Sequence, residues 1–266
     1  MKFLITLILA SCVAAAPAIN ARSRLERRLA RRAGSSHPIQ RIPSSEIHPQ
    51  GTPTKNEQYS SNWAGVVIAN PPSGTFTAVS ATFTVPQPQT TGGGSTQSAS
   101  AWVGIDGDTC GSAILQTGVD FFVDEDNNVS YDSWYEWFPD YAYDFSGISF
   151  KTGDTVALSV VSSSSTSGTA TIQNLSNGQQ VSQYITSSSA LCGQNAEWIV
   201  EDFEENGGLV PFCNFGSVSF SNANAQTSDG NSWAADIGDL IDIQQNGQTL
   251  TQSSQNGGGV VTVQYV

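Results

Sequence analysis

Alternation at period two restricts this chain more than any other feature. In Val79-Ser80-Ala81-Thr82-Phe83-Thr84-Val85 every second residue is apolar and the residues between carry hydroxyls. A strand turns successive side chains to opposite faces, so this pattern makes a half-buried strand and gives no helical stripe. Thr155-Val156-Ala157-Leu158-Ser159-Val160-Val161, Gly168-Thr169-Ala170-Thr171-Ile172 and Val260-Val261-Thr262-Val263-Gln264-Tyr265-Val266 continue it. Turn sequences separate the runs: Pro71-Pro72-Ser73-Gly74, Thr152-Gly153-Asp154, Ser176-Asn177-Gly178 and Gln245-Asn246-Gly247. Many strands, many tight turns and almost no helical periodicity predict an all-β fold, an antiparallel sandwich or barrel. Ala196 to Glu205 is the one run considered for a helix, and its β-branched and aromatic content favours a strand. Gly92 to Ser100 and Ser162 to Ser167 read as low-complexity loops, and no internal repeat is visible.

The front of the chain differs. Met1-Lys2, the apolar run Phe3 to Ala10 and small residues through Ala16 read as a secretory signal over residues 1–18. No later segment has the length of apolar sequence that a membrane-spanning helix needs, so a secreted, extracellular protein with no membrane partner is expected. Arg24, Arg27, Arg28 and Arg31 then recur beside Leu25 and Leu29, and Pro38, Pro43, Pro49 and Pro53 follow. A nucleic-acid or membrane patch is one reading of these arginines. A basic propeptide over residues 19–53, in front of an acidic enzyme domain at 54–266, is preferred, with the mature start near 54–58. Cleavage after Arg32 would instead leave His37, His48 and Arg41 on the product.

With the boundary at Pro53, the body contains no histidine and no arginine. Lys55 and Lys151 are its only basic side chains, against twenty-one Asp and Glu. A Ser–His–Asp triad, a Cys–His pair and a His-ligated zinc all need an imidazole, and a phosphate clamp needs cations. Chemistry must therefore run on carboxylates, amides, hydroxyls and aromatics, with no cofactor, no metal and no nucleic-acid partner expected. Cys12 leaves with the signal; Cys110, Cys192 and Cys213 remain, which fits one disulfide and one buried free thiol. Asn128-Val129-Ser130 and Asn174-Leu175-Ser176 fit the N-glycosylation pattern.

Three segments concentrate aromatics, acids and amides: Ala101 to Asp120, Tyr131 to Pro139, and Asn195 to Glu205. In the third, strand alternation puts Glu197, Ile199, Glu201 and Phe203 on one face and Trp198, Val200 and Asp202 on the other. A carboxylate among these apolar residues is partly desolvated, which raises its pKa and suits acid-range catalysis. An acidic rim at a strand end is the alternative. Gln116 shares its face with Ile114 and Gly118. It is either a structural amide bonded to backbone or a neutral donor aimed at an oxyanion. The Tyr131 to Phe138 cluster reads as a cleft wall because acids are interleaved in it. Asp108-Thr109-Cys110 lacks the glycine of an aspartic-peptidase Asp-Thr-Gly, and Ser228-Asp229-Gly230 has the wrong order.

Taken together, Tyr59-Ser60-Ser61-Asn62-Trp63-Ala64-Gly65, Ala101 to Cys110, Ile114-Leu115-Gln116-Thr117-Gly118, Trp134-Tyr135-Glu136-Trp137 and Glu201-Asp202-Phe203-Glu204-Glu205 resemble the fungal glutamic peptidases, the eqolisins. The resemblance covers nearly all of the body. It implies a sandwich of two curved antiparallel sheets, of the concanavalin A-like or jelly-roll type, with a substrate cleft on the concave face. It implies a catalytic pair at Gln116 and Glu201, cleft residues at Trp63, Trp102, Asp106, Asp120 and Glu136, and a disulfide between Cys110 and Cys192. The implied enzyme is a monomeric acid endopeptidase acting on protein and peptide substrates and indifferent to pepstatin and EDTA. Independently of the resemblance, opposite charge predicts that the basic propeptide is held against the acidic cleft near neutral pH. Some members carry a second cysteine pair after the Glu-Asp-Phe-Glu-Glu motif; here Asn206-Gly207-Gly208 is short and cysteine-free, and Cys213 appears instead. Two rivals use the same residues: a glycosidase with Glu136 and Glu201 as its carboxylates, and a non-catalytic carbohydrate-binding module. Neither accounts for Gln116.

Overall fold

The computed structural model describes residues 32–47 and 57–266. The expected secretory segment, the arginines before Arg32 and the expected cut at Pro53 lie outside the described residues. Among the described residues there is no α-helix, only strands and two short 3-10 turns. In chain order the strands are β1 (Gly34–Ser35), β2 (Glu57–Ser60), β3 (Trp63–Ile68), β4 (Phe76–Thr84), β5 (Gln97–Ile105), β6 (Ile114–Val123) and β7 (Val129–Phe138). They continue as β8 (Tyr143–Asp144), β9 (Thr155–Ser164), β10 (Ser167–Asn174), β11 (Gln179–Thr186), β12 (Ala196–Glu201), β13 (Glu204–Glu205) and β14 (Gly208–Leu209). The last are β15 (Ser217–Thr227), β16 (Ser232–Ala234), β17 (Asp239–Gln245), β18 (Gln248–Thr249), β19 (Thr251–Gln255) and β20 (Val261–Tyr265).

Two large sheets form a sandwich. One runs β18-β17-β3-β12-β5-β6-β7-β8, with β2 added in parallel beside β17; the other runs β11-β10-β9-β4-β15-β20-β19, with β16 on β15. The alternating apolar residues explain the interface: Val79, Ala81 and Phe83 of β4, Val156, Leu158 and Val160 of β9, and Val261 and Val263 of β20 join one buried core with Val66, Val103, Leu115 and Trp198 of the facing sheet.

The sheet through β3, β12, β5 and β6 is also covered on its other face. Every residue of β3, β5 and β12 is buried, as expected for strands with two covered faces. The second face carries its own apolar cluster, Trp63, Val67, Trp102, Ile114, Trp134, Ile199 and Ile241. This is the face that bears the acids.

The run from Ala196 folds as a strand, β12, as its composition favours. Two expected loops are partly strand. β9 continues to Ser164 and β10 begins at Ser167, so the Ser162–Ser167 loop shrinks to a two-residue turn. β5 begins at Gln97 and takes in Ser98, Ala99 and Ser100. Small residues hide strand periodicity, yet here they fit buried positions, and the backbone ladder supplies the bonds. Cys110 and Cys192 form the disulfide, and Cys213 is free and buried beside the edge-to-face pair Phe212–Phe215. Asn174 is fully buried with its amide donating to Ser149 O and Asp154, so it is closed to glycosylation in the folded chain, whereas Asn128 is exposed.

Candidate active site

Register lays the second face out in rows that cross four neighbouring strands. Glu197 of β12 pairs with Gly104, which pairs with Gln116, which pairs with Glu136. The next row is Ile199, Trp102, Gly118 and Trp134, and the third is Glu201, Ser100, Asp120 and Asp132. Period-two geometry puts all three rows on the same face. Gly118 matters because a Cβ there would lie 2.6 Å from Trp102 Cβ and 3.0 Å from Trp134 Cζ2. Its bare backbone lets two tryptophans flank the middle row.

These rings fix the acids around them. Trp102 Nε1 donates to Glu201 Oε2 at 2.8 Å, and the Trp102 ring meets Trp63 edge to face with centroids 4.9 Å apart. Trp134 Nε1 donates to Asp120 Oδ1 at 2.8 Å and to Ser100 Oγ at 3.2 Å. Gln116 Nε2 donates to Glu136 Oε2 at 2.9 Å. Gln116, Asp120, Glu136, Glu197 and Glu201 are all essentially inaccessible, so the acidic-rim reading of Glu201 does not hold. Burial pushes Glu201 up to about 7 against the opposing pull of the Ser36 hydroxyl, Arg32, the His37 N–H and Trp102. Burial pushes Glu136 up to about 8; Arg32 opposes this, and Glu201 adds to it as a neighbouring like charge.

Residues 32–41 fill this face. Arg32 binds Asp120 through two bonds, Nε to Oδ2 at 2.6 Å and Nη2 to Oδ1 at 2.7 Å. Its guanidinium lies 4.2 Å from the Trp134 ring centroid and 4.4 Å from that of Phe203. β1 pairs antiparallel with β13, so the segment enters as an added strand. The Ser36 N–H then points to Glu136 Oε2 at 3.3 Å, and the His37 N–H to Glu201 Oε1 at 3.2 Å. The exit is held by Ile39 N–H on Gly107 O at 3.1 Å, Gln40 N–H on Asn62 Oδ1 at 2.8 Å and an Arg41–Asp108 ion pair.

The structure thus brings Gln116, Glu201, Glu136, Asp120, Trp63 and Trp102 onto one face. Asp106 differs from the cleft role implied by resemblance. Its two oxygens accept four backbone N–H groups, from Cys192, Gly193, Gln194 and Asn195, at 2.7–3.2 Å. It is a brace between the end of β5 and the approach to β12, next to the disulfide. Tyr131 to Phe138 is wall only on one side: Trp134 and Glu136 face the site, while Trp137 joins the inter-sheet core. Opposite charge places the basic segment on the acidic cleft but does not single out Arg32, Ser36 or His37 as its occupants, because charge alone does not fix which residues dock. Among the described residues, Asp106, Cys110 and Cys192 bring potential metal ligands close together. Two of these are the disulfide and the third is the brace, so the donor set does not suit a metal.

Comparison with known proteins matches this architecture. Residues 61–265 fit the Peptidase A4 family. Over 98% of its length, the crystal structure of scytalido-glutamic peptidase with a transition state analog inhibitor superposes on 77% of this chain with a TM-score of 0.70 and 43% identity. The fold is that of a glutamic-peptidase β-sandwich, and the chain belongs to the Peptidase A4 family. Among relatives, aspergillopepsin-2 of Aspergillus niger is 46% identical over 92% of this chain and 91% of its own. Scytalidopepsin B of Scytalidium lignicola is 40% identical over the whole of both chains.

Proposed function

We propose that this peptidase is a secreted acid endopeptidase in which Glu201 activates water and Gln116 stabilises the oxyanion. As a carboxylate, Glu201 takes a proton from a water while the water oxygen bonds to the scissile carbonyl carbon. The carbonyl oxygen becomes an alkoxide, and the Gln116 N–H donates to it. Glu201, now a carboxylic acid, returns the proton to the amine nitrogen as the C–N bond breaks. The observation that carries this reading is Ser36. A single residue lying in the cleft reaches Glu136, the partner of Gln116, through its N–H and Glu201 through its hydroxyl. Consecutive residues of one docked chain therefore reach Glu201 and the hydrogen-bond partner of Gln116.

In the same reading residues 19–53 are a propeptide, and the part from Arg32 is its plug. It presents N–H donors, not a carbonyl, to the two carboxylates. Among the described residues Gln116 Nε2 donates to Glu136 and to no carbonyl of the segment, which fits an occupant that is held and not cut.

Glu201→Gln keeps the shape and removes the base. Gln116→Ala removes an oxyanion donor, a loss of about a hundred- to a thousandfold in turnover. Hydrolysis of a denatured protein at acid pH is the assay, with β-glucan as the control for the glycosidase alternative. A folded Glu201→Gln or Gln116→Ala enzyme with near-native proteolysis would sink the assignment.

A further inference from the structure

A glutamine donates to an oxyanion in only one of its two amide orientations. Turned by 180° about its last torsion, it offers a lone pair in place of an N–H, and that torsion is soft. Glu136 holds Nε2 at 2.9 Å but does not settle the choice. With a pKa near 8, Glu136 is a carboxylic acid at acid pH, and an acid can accept from Nε2 or donate to Oε1. The orientation has to be set from the Oε1 side. Gln116 Oε1 is buried and has no hydrogen-bond partner among the described residues.

Glu197 supplies what is missing. It sits in the same row, one strand beyond Gly104. Gly104 carries no side chain in that row: a Cβ built there would lie 3.4 Å from both Gln116 Cβ and Glu197 Oε2, and 2.8 Å from Trp102 Cζ3, whose ring leans over the glycine from the next row. Within the row itself β5 contributes no side chain, and the Trp102 ring borders the path between the two groups on one side. Both Glu197 oxygens are also buried without a partner, so two unsatisfied polar groups flank one glycine. Burial, then the charges of Asp106 and Asp108, push the Glu197 pKa well up. The carboxyl is neutral, with one O–H to give. Its neighbours across the ladder on the β3 side and within its own row are Val67 and Gly104, neither of which accepts from it through a side chain.

We propose that protonated Glu197 is a positioning residue. It donates toward Gln116 Oε1 across Gly104, directly or through one water, and so keeps Nε2 turned to the reacting carbonyl. The proposal rests on the reading of Gln116 as the oxyanion donor.

A double-mutant cycle on the active enzyme tests it. Glu197→Leu removes the donor at similar volume; kcat is expected to fall about tenfold with KM unchanged, less than the direct loss of an oxyanion donor. Glu197→Gln keeps an N–H donor and is expected to restore kcat to within about threefold of native, since one neutral donor replaces another. On a Gln116→Ala background, Glu197→Leu is expected to change kcat no further, whereas a purely structural role would give the same factor on both backgrounds. Should Glu197→Leu not fold, the Gln116 side-chain amide resonance, assigned by its loss in Gln116→Ala, is followed in Glu197→Gln. A shift supports the contact and an unmoved signal overturns it. If Gln116→Ala keeps native turnover, the oxyanion assignment fails and this proposal with it. If Gln116→Ala is slow and the two factors multiply, only the role of Glu197 falls.

Discussion

One buried ion pair anchors the start of the docked segment, and Arg32→Gln removes it. The native guanidinium makes two short charged hydrogen bonds to Asp120 and lies over two rings, with the Arg32 and Asp120 side chains 3% and 1% exposed. Breaking a buried pair by removing one partner costs about 3–5 kcal/mol. Asp120 keeps its Trp134 bond and can regain water when the segment lifts, so the lower end applies. A loss of about 3 kcal/mol shifts docking by roughly a hundredfold. The assay is amide hydrogen exchange on the full chain near neutral pH, on a Gln116→Ala background so that the enzyme cannot process itself. The Ser36 and His37 N–H groups, which donate to Glu136 and Glu201, are expected to exchange roughly a hundredfold faster, because exchange follows the open population. Protection that changes by less than about threefold would refute the reasoning, since the pair would then add little to docking.

Two further outcomes are expected. Burial holds the folded pKa of Glu201 at about 7, and of Glu136 and Asp202 at about 8, all above their unfolded values. Folding favours their protonated forms, so this stabilisation is full below the unfolded carboxyl pKa and is lost as pH rises through 7 to 8. For Glu201 alone the shift from 4.5 to about 7 corresponds to roughly 3 kcal/mol. Melting scans across this range should show Tm falling toward neutrality, and a rise would contradict the argument. Asp106→Asn replaces an acceptor of four backbone N–H bonds with a group that turns an NH2 toward donors. A loss of about 2–4 kcal/mol is expected in denaturant melts; an unchanged midpoint would remove the brace.

What could be read in the sequence was what alternation encodes. Val79 to Val85 and Thr155 to Val161 have strong period-two patterns, and both lie in strands of the second sheet. The Glu197, Ile199, Glu201 face followed from the same rule and became the acid-bearing face. Serine-rich Gln97 to Ser100 hid its strand because hydroxyl and methyl side chains leave no hydropathy contrast, although Ala99 is fully buried. Asp106 could not be told from a cleft acid: its role depends on four N–H groups from residues 192–195, about ninety positions away in sequence. The docking of Arg32 on Asp120 spans 88 residues and was legible only as opposite charge.

The segment that fills the cleft bears directly on the carboxyl groups beneath it. With residues 32–41 in place, burial is the largest influence on both Glu201 and Glu136, and it outweighs the opposing pull of Arg32 and of the bonds from Ser36 and His37. Below pH 7 a plugged Glu201 is therefore mostly a neutral acid, and a neutral acid cannot take a proton from water. Removing the segment removes two opposing effects together: its own share of the desolvation that raises the pKa, and the charge and hydrogen bonds that lower it. The rest of the desolvation stays, because Trp102 and the buried strand β12 belong to the sheet itself. On the proposed mechanism the base is ionised in turnover, so the pH–rate profile of enzyme freed of residues 32–41 reads this balance directly. An acid-limb pKa below the value Glu201 has in the docked chain assigns the larger share of the desolvation to the segment, and one at or above it assigns that share to the sheet.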